Sequence, residues 1–292
     1  FSAAVTAASS TIGPIIPPSI PFILYGAIAN VSVGALFIAG AIPGIIMGFS
    51  LMVVVYFISK KKGYKIYKKS SLKELWFDFK DAILSLLTPI IILGGIVLGI
   101  ATPTEAAVIA VIYALFLQIF VYREFSYKKL INSLENVAKS IGMIAFLSCT
   151  AYLFGWILSY EMIPQLFTNT ILSVTSNKYI ILFIINLLLI LIGCFMDTTA
   201  AIVVMVPVLL PAIDLFGISR VHFGVIMTLN LMIGLLTPPV GLCVYLVSDI
   251  AKTSFEKVVK ATVPFMVILI AVLILVTYLP QITLFLPNIL IK

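Results

Sequence analysis

Ten stretches of nearly unbroken apolar residues, close to 20–29, 33–59, 82–101, 104–122, 137–158, 179–196, 199–213, 223–236, 240–250 and 262–287, limit what this chain can become. A helix needs about 20 residues to cross a hydrocarbon layer of roughly 30 Å. With short loops, a chain of 292 residues has room for about eight to ten such segments. Only 10% of its residues are charged, against about a quarter in soluble domains. A soluble enzyme and a nucleic-acid binder are both excluded, and the fold class is an all-α polytopic membrane protein. The stretches at 20–29, 199–213, 223–236 and 240–250 are too short to cross and are broken by proline or glycine. They fit half-helices or re-entrant hairpin arms, which membranes tolerate only where protein or a cavity covers the freed backbone.

The net charge of +7 is not a nucleic-acid footprint, because eight of the 18 basic residues gather in one loop: Lys60, Lys61, Lys62, Lys65, Lys68, Lys69, Lys73 and Lys80. With Arg123, Lys128 and Lys129, and with Lys252, Lys257 and Lys260, they mark the cytoplasmic side. The 82–101 segment then runs outward and 104–122 returns. Within the loop, Leu72, Leu75, Trp76 and Phe79 alternate with Lys73, Glu74, Asp78 and Lys80. That pattern predicts an amphipathic helix lying on membrane lipid, with Trp76 as headgroup anchor. Cys149, Cys194 and Cys243 sit in apolar runs without metal or disulfide spacing and read as buried thiols.

Two stretches share a pattern 221 residues apart: Ile12-Gly13-Pro14-Ile15-Ile16-Pro17-Pro18 and Ile233-Gly234-Leu235-Leu236-Thr237-Pro238-Pro239. The same offset pairs Pro43 with Pro264, each inside the long apolar segment after its double proline. The segment at 33–59 runs inward to the lysine loop, whereas its partner runs outward from Lys260, so the copies are inverted. Inverted repeats with broken helices characterise secondary transporters, whose substrate and ion sites lie at the interruptions. The second copy also contains a hairpin, with Gly193 to Thr199 at its tip. Its counterpart falls before Phe1, so the first hairpin is expected to be missing from this chain.

Double prolines after a glycine leave carbonyl oxygens without helical partners. Those oxygens suit a small hard cation, helped by nearby hydroxyls and carboxylates. Ser9, Ser10, Thr11 and Ser19 stand around the first break, and Asn230 and Thr237 around the second. Asp197 is the sharpest single residue, since a carboxylate within an apolar run usually faces a cavity or an ion. With Thr198 and Thr199 beside it, it completes a second cation site or caps the following helix, and the two roles are compatible. Ser19, Thr198, Thr199, Asn230 and Thr237 are the candidates for contacting substrate. Thr102 and Glu105 have capping-box spacing, with a cavity or bracing role for Glu105 left open. Gly94, Gly95 and Gly99 are read as close-packing positions. Arg220 and His222 fit a water-exposed loop, or for Arg220 a substrate carboxylate. No phosphate loop is present, so energy would come from an ion gradient. The chain is not read as an enzyme.

The stretch from Ala7 to Pro21, the run Thr102-Pro103-Thr104-Glu105-Ala106-Ala107, and Met196-Asp197-Thr198-Thr199 followed by Asn230 to Gly241 resemble the large membrane subunit of TRAP transporters, the tripartite ATP-independent periplasmic family. The resemblance implies an elevator-type sodium symporter in the bacterial inner membrane that imports organic acids of the sialic acid or C4-dicarboxylate class. It also implies two partners, a soluble periplasmic substrate-binding protein and a small four-helix membrane subunit. Carried over, one sodium site uses carbonyls near Gly13, Ile15 and Pro18, completed by a serine of the missing hairpin. The other uses Asp197 with carbonyls near Gly234, Leu236 and Pro239.

The expected divisions are 1–32 and 178–251 as transport domain, 33–101 and 102–177 as scaffold and arm helices, and 252–292 as a closing scaffold helix. The nearest alternative is a stand-alone sodium/dicarboxylate symporter; an intramembrane hydrolase and a non-transporting scaffold are more distant. Proton coupling through Asp197 is a further possibility.

Overall fold

The computed structural model describes residues 1–64, 71–175 and 177–290, and all regular structure within them is helical. Lys65, Lys68 and Lys69 of the basic loop lie outside the described residues. Five helices are long and apolar enough to cross a membrane by length and composition: Val33–Lys62, Pro103–Val121, Lys178–Phe195, Thr198–Leu215 and Phe255–Tyr278. A sixth is added if Leu72–Lys80 and Ala82–Val97, bent by 58°, form one span. The chain is a multi-pass membrane protein.

It divides into two units, Phe1–Lys61 with Thr150–Lys292, and Lys62–Cys149. The larger unit contains α1 (Ser2–Ser10), α2 (Ile20–Ala29) and most of α3 (Val33–Lys62). The smaller holds α4 (Leu72–Val97), α5 (Pro103–Phe116), which continues as a π-turn over Leu117–Val121, and the first part of α6 (Tyr127–Tyr160). The larger resumes with α7 (Ile163–Val174), α8 (Lys178–Phe195), α9 (Thr198–Leu215), α10 (Arg220–Gly234), α11 (Leu242–Ile250), α12 (Phe255–Tyr278) and α13 (Gln281–Leu290).

In the smaller unit both helix starts are written in the sequence. Ser71 and Glu74 form one capping box and Thr102 and Glu105 another, with the Glu105 carboxylate accepting the Thr102 N–H at 2.8 Å. Tyr113 donates to the Leu84 carbonyl at 2.8 Å and fixes α5 against α4. The three glycines expected to pack helices divide: Gly95 meets Ala101 and Ala106, Gly94 faces no atom within 4 Å, and Gly99 supplies a left-handed turn at φ +68°. Of these three, Gly95 alone meets a neighbour among the described residues, and Gly99 instead serves the reversal that the helix needs just beyond its end. The amphipathic segment 72–80 is helical, with Leu72, Leu75, Trp76 and Phe79 exposed.

In the larger unit α10 is the centre. Every residue from His222 to Gly234 is buried, as befits a helix apolar nearly all round. It packs on α8, α9, α2, α12 and α13. Three sequence expectations change here. The 199–213 stretch, expected to be too short, is an 18-residue helix that Asp197 starts early and that runs through Pro207 and Pro211 to Leu215. Each proline removes one backbone donor, which protein-lined surroundings can absorb. The 262–287 stretch is two helices, because Pro280 forces Leu279 out of the helical region to φ −119°, ψ 80°. Finally, α7 is an unexpected helix whose apolar signal is diluted by Pro164, Gln165, Thr168, Asn169 and Thr170.

Candidate functional site

Both double-proline segments interrupt helices, and they share one turn bond while differing in the next, where the Ile16 N–H goes to Ile12 but the Thr237 N–H goes to Gly234. Between α1 and α2, the Ile15 N–H donates to the Ile12 carbonyl at 3.0 Å. Between α10 and α11, the Leu236 N–H donates to the Ile233 carbonyl, also at 3.0 Å. These are the same bond displaced by 221 residues. Contacts follow the same rule: α2 packs on α10, and the offset carries that pair onto α11 and α1, which also pack together. The Pro17–Pro18 and Pro238–Pro239 bonds are both cis.

At the first break, Ser9, Ser10 and Thr11 donate back to the carbonyls of Thr6, Ala7 and Ala8, at 3.2, 2.8 and 2.7 Å, closing the end of α1. Ser19 is buried; its hydroxyl donates to the Pro14 carbonyl and accepts the Phe22 N–H at 3.3 Å, so it ties the two sides of the break together. Among the described residues no donor reaches the carbonyls of Gly13, Ile15 or Pro18. The Ile15 carbonyl abuts Gly40 of α3, and the Ile16 side chain lies on Gly44, so this Gly-x-x-x-Gly pair is the bed on which the break rests.

At the second break the Thr237 N–H donates to Gly234 at 2.8 Å, and the Thr237 hydroxyl to Ile233 at 2.9 Å. The carbonyls of Leu236 and Pro239 receive no donor among the described residues. Gly241 then turns the chain at φ +54° into α11.

The junction between α8 and α9 reaches this second break. A Cβ on Gly234 would lie 2.5 Å from the backbone carbon atoms of Gly193 and 3.0 Å from the Cys194 nitrogen, so the two backbones touch. Asp197 is exposed and caps α9, its carboxylate accepting the Thr199 N–H at 2.8 Å. Beside it, the Thr198 hydroxyl is buried with no hydrogen-bond partner among the described residues. Cys194 lies within reach of the Thr237 side chain. Cys243, in the first turn of α11, lies within reach of Ser10 and in the field of Asp197. The structure thus sets the α8–α9 junction, which carries Asp197 and Thr198, against Gly234 of the second break, while α11 beyond that break packs on α1. An arrangement of backbone carbonyls, hydroxyls and one carboxylate offers hard oxygen donors only.

Other residues singled out in the sequence lie elsewhere. Asn230 is fully buried one turn before Gly234, donating to Asn186 and to Ile226, both at 2.8 Å. Asn186 donates in turn to Thr277 at 3.0 Å, so Asn230 belongs to a polar ladder joining α10, α8 and α12. His222 is buried against Thr283, 2.7 Å from its hydroxyl, rather than exposed in a loop. It lies inside α10, where the first turn is already covered by α13. Arg220 holds Asp214 by two bonds, of 2.8 and 2.6 Å. The sequence reading places Gly193 at the hairpin tip but does not single out the glycine seats at Gly40 and Gly44 or the ladder residue Asn186; for the two glycines their four-residue spacing is the available signal.

The whole chain has known relatives. Residues 1–282 match the family model described as the tripartite ATP-independent periplasmic transporter, DctM component. A sialic acid TRAP transporter large permease protein of Vibrio cholerae is 44% identical over 99% of this chain and 67% of its own length. An isethionate TRAP transporter permease protein of Oleidesulfovibrio alaskensis is 41% identical over 98% of this chain and 45% of its own. A C4-dicarboxylate TRAP transporter large permease protein of Pseudomonas aeruginosa is 37% identical, over 99% and 67%.

Proposed function

The chain belongs to the DctM family of tripartite ATP-independent periplasmic transporter components, and from that membership we propose that it is the membrane permease of a sodium-coupled importer of small organic acids. It spans between about half and two thirds of the relatives it matches, so the activity proposed is that of the whole transporter in the bacterial inner membrane. What supports the sodium reading is that the α8–α9 junction, which carries Asp197 and the unpartnered Thr198 hydroxyl, backs onto Gly234 of a break whose Leu236 and Pro239 carbonyls receive no donor among the described residues. A buried hydroxyl without a partner costs about 1–3 kcal/mol. A sodium ion bound beside Asp197 neutralises the carboxylate and, where the Thr198 hydroxyl turns to it as a further donor, removes that cost.

In the proposed mechanism one sodium ion is held by Asp197 with the carbonyls of Gly234, Leu236 and Pro239. A second is held by carbonyls of Gly13, Ile15 and Pro18. Loading both breaks lowers the cost of carrying an anion through the apolar layer. The substrate then meets Thr199 and Thr237 near the exposed face of the α8–α9 junction. A soluble binding protein delivers the acid, and a small membrane subunit joins the scaffold. The body formed by α1, α2 and α8–α11 slides as an elevator. The substrates named for the relatives, sialic acid, C4-dicarboxylates and isethionate, share a compact anionic group, and an acid of that class is the proposed cargo.

The test is uptake of labelled sialic acid, succinate and isethionate into liposomes holding the full-length permease and its small partner. Sodium gradient and cognate binding protein are each supplied or withheld. Uptake that needs both supports the reading. Uptake with sodium alone points to a stand-alone symporter, and uptake indifferent to sodium overturns the coupling.

A further inference from the structure

The strongest arrangement that the transport reading leaves unused lies far from both breaks. α2 starts at the first break and, at about 1.5 Å per residue, carries its last carbonyls roughly 15 Å away. α10 ends at the second break and begins roughly 22 Å before it. These two far ends meet. The Arg220 guanidinium donates through Nε and Nη2 to the two carboxylate oxygens of Asp214, at 2.8 and 2.6 Å. Through Nη1 it donates to the Ala29 carbonyl at 2.9 Å. In return, the Tyr25 hydroxyl of α2 donates to the Arg220 carbonyl at 2.7 Å. Tyr25 fits only because position 224 is glycine, where a Cβ would stand 2.6 Å from its ring.

We propose that Arg220 is a positioning residue that ties the C-terminal end of α2 to the α9–α10 junction, so that the two breaks fill and move as one body. This rests on the sodium-coupled reading above. Global stability is a poor explanation for the cluster, since the two side chains are each 42% exposed and such pairs contribute little. Geometry is the better one. α2 belongs to the first copy of the repeat and α10 to the second; side-chain packing on α9 and α10 holds the body of α2, and Arg220 holds its last carbonyl and so sets where its far end stands. A guanidinium has a rigid fork of donors that reaches a carboxylate and a helix-terminal carbonyl together, and the last turn of α2 presents the negative end of its dipole. A lysine keeps the charge and loses the double grip.

The experiment uses the full-length permease with its small partner in liposomes and compares wild type with R220K, R220A and the double variant D214R/R220D. In R220K the sodium dependence of uptake becomes shallower, with a Hill coefficient approaching 1. Half-saturating sodium rises about five- to tenfold, the usual scale of coupling between sites, while uptake at saturating sodium is little changed. In R220A, hydrogen exchange at Gly26–Val31 and at Arg220–Gly224 speeds up together. The double variant rebuilds the ion pair but not the bond to Ala29, and stays defective. Restored steepness there would overturn the proposal by showing that the ion pair alone matters, and so would wild-type sodium curves in R220K. If wild-type uptake ignores sodium, the coupling reading falls separately. The exchange experiment then decides, and unchanged exchange in R220A overturns the tie.

Discussion

Replacing Gly234 by alanine tests the backbone contact on which the proposed second cation site depends. The added Cβ would stand 2.5 Å from the Gly193 backbone carbons and 3.0 Å from the Cys194 nitrogen, where ordinary carbon contacts lie at about 3.5–4.0 Å. None of these atoms belongs to a flexible side chain, so α8 must move from α10 by about 1 Å, and overpacking of this kind costs about 1–3 kcal/mol. Because Asp197 follows Gly193 by four residues, the same movement carries it along and disturbs the proposed site. A loss of 1.4 kcal/mol in site geometry is tenfold in affinity, so apparent sodium affinity should fall about tenfold or more. Gly193→Ala meets its nearest backbone atoms at 3.0 and 3.1 Å and should do the same more mildly, while Gly48→Ala finds only the end of Ile12 at 3.9 Å and should be silent. Sodium-dependent uptake and thermal unfolding of the purified variants provide the ranking. Wild-type sodium affinity in Gly234→Ala, or a ranking that ignores these distances, would refute the reasoning.

Asp197→Asn keeps an oxygen for the Thr199 N–H, and asparagine caps helices about as well as aspartate; sodium dependence should therefore collapse while thermal stability barely moves, as paired uptake and melting measurements would reveal. Thr277→Val removes the acceptor of the Asn186 amide inside the α8–α10–α12 ladder, and a stranded buried donor costs about 1–3 kcal/mol. Its melting temperature should drop, and Thr277→Ser should restore it. Trp76, exposed on the amphipathic start of α4, should be quenched by brominated lipid in a Trp156→Phe background; emission unaffected by the brominated lipid would remove the interfacial assignment.

Much of the architecture is legible in local chemistry. Thr102 with Glu105 states a helix start outright, and the two segments in which a double proline follows a glycine by four residues locate both interruptions. What escapes depends on neighbours. Nothing near Asn230 says that its amide turns toward Asn186, because partners 44 residues apart are joined only by packing. His222 reads as a loop residue until α13 covers it. Pro207 and Pro211 read as the end of a helix because in water they would be, whereas surrounding protein can offset the missing donors. The glycine seats are visible as letters, yet which backbone each one admits is decided by tertiary approach.

The complete enclosure of α10 has a consequence for how this protein can vary. Most helices offer at least one side where substitutions drift freely; from His222 to Gly234 this one offers none. Its sequence can change only in concert with α8, α9 or α12, so variation here should come as compensated pairs. A reporter dye meant to follow transport is better hung on the outward stripe of α8, at Leu187 or Leu191, where the chain already leaves room.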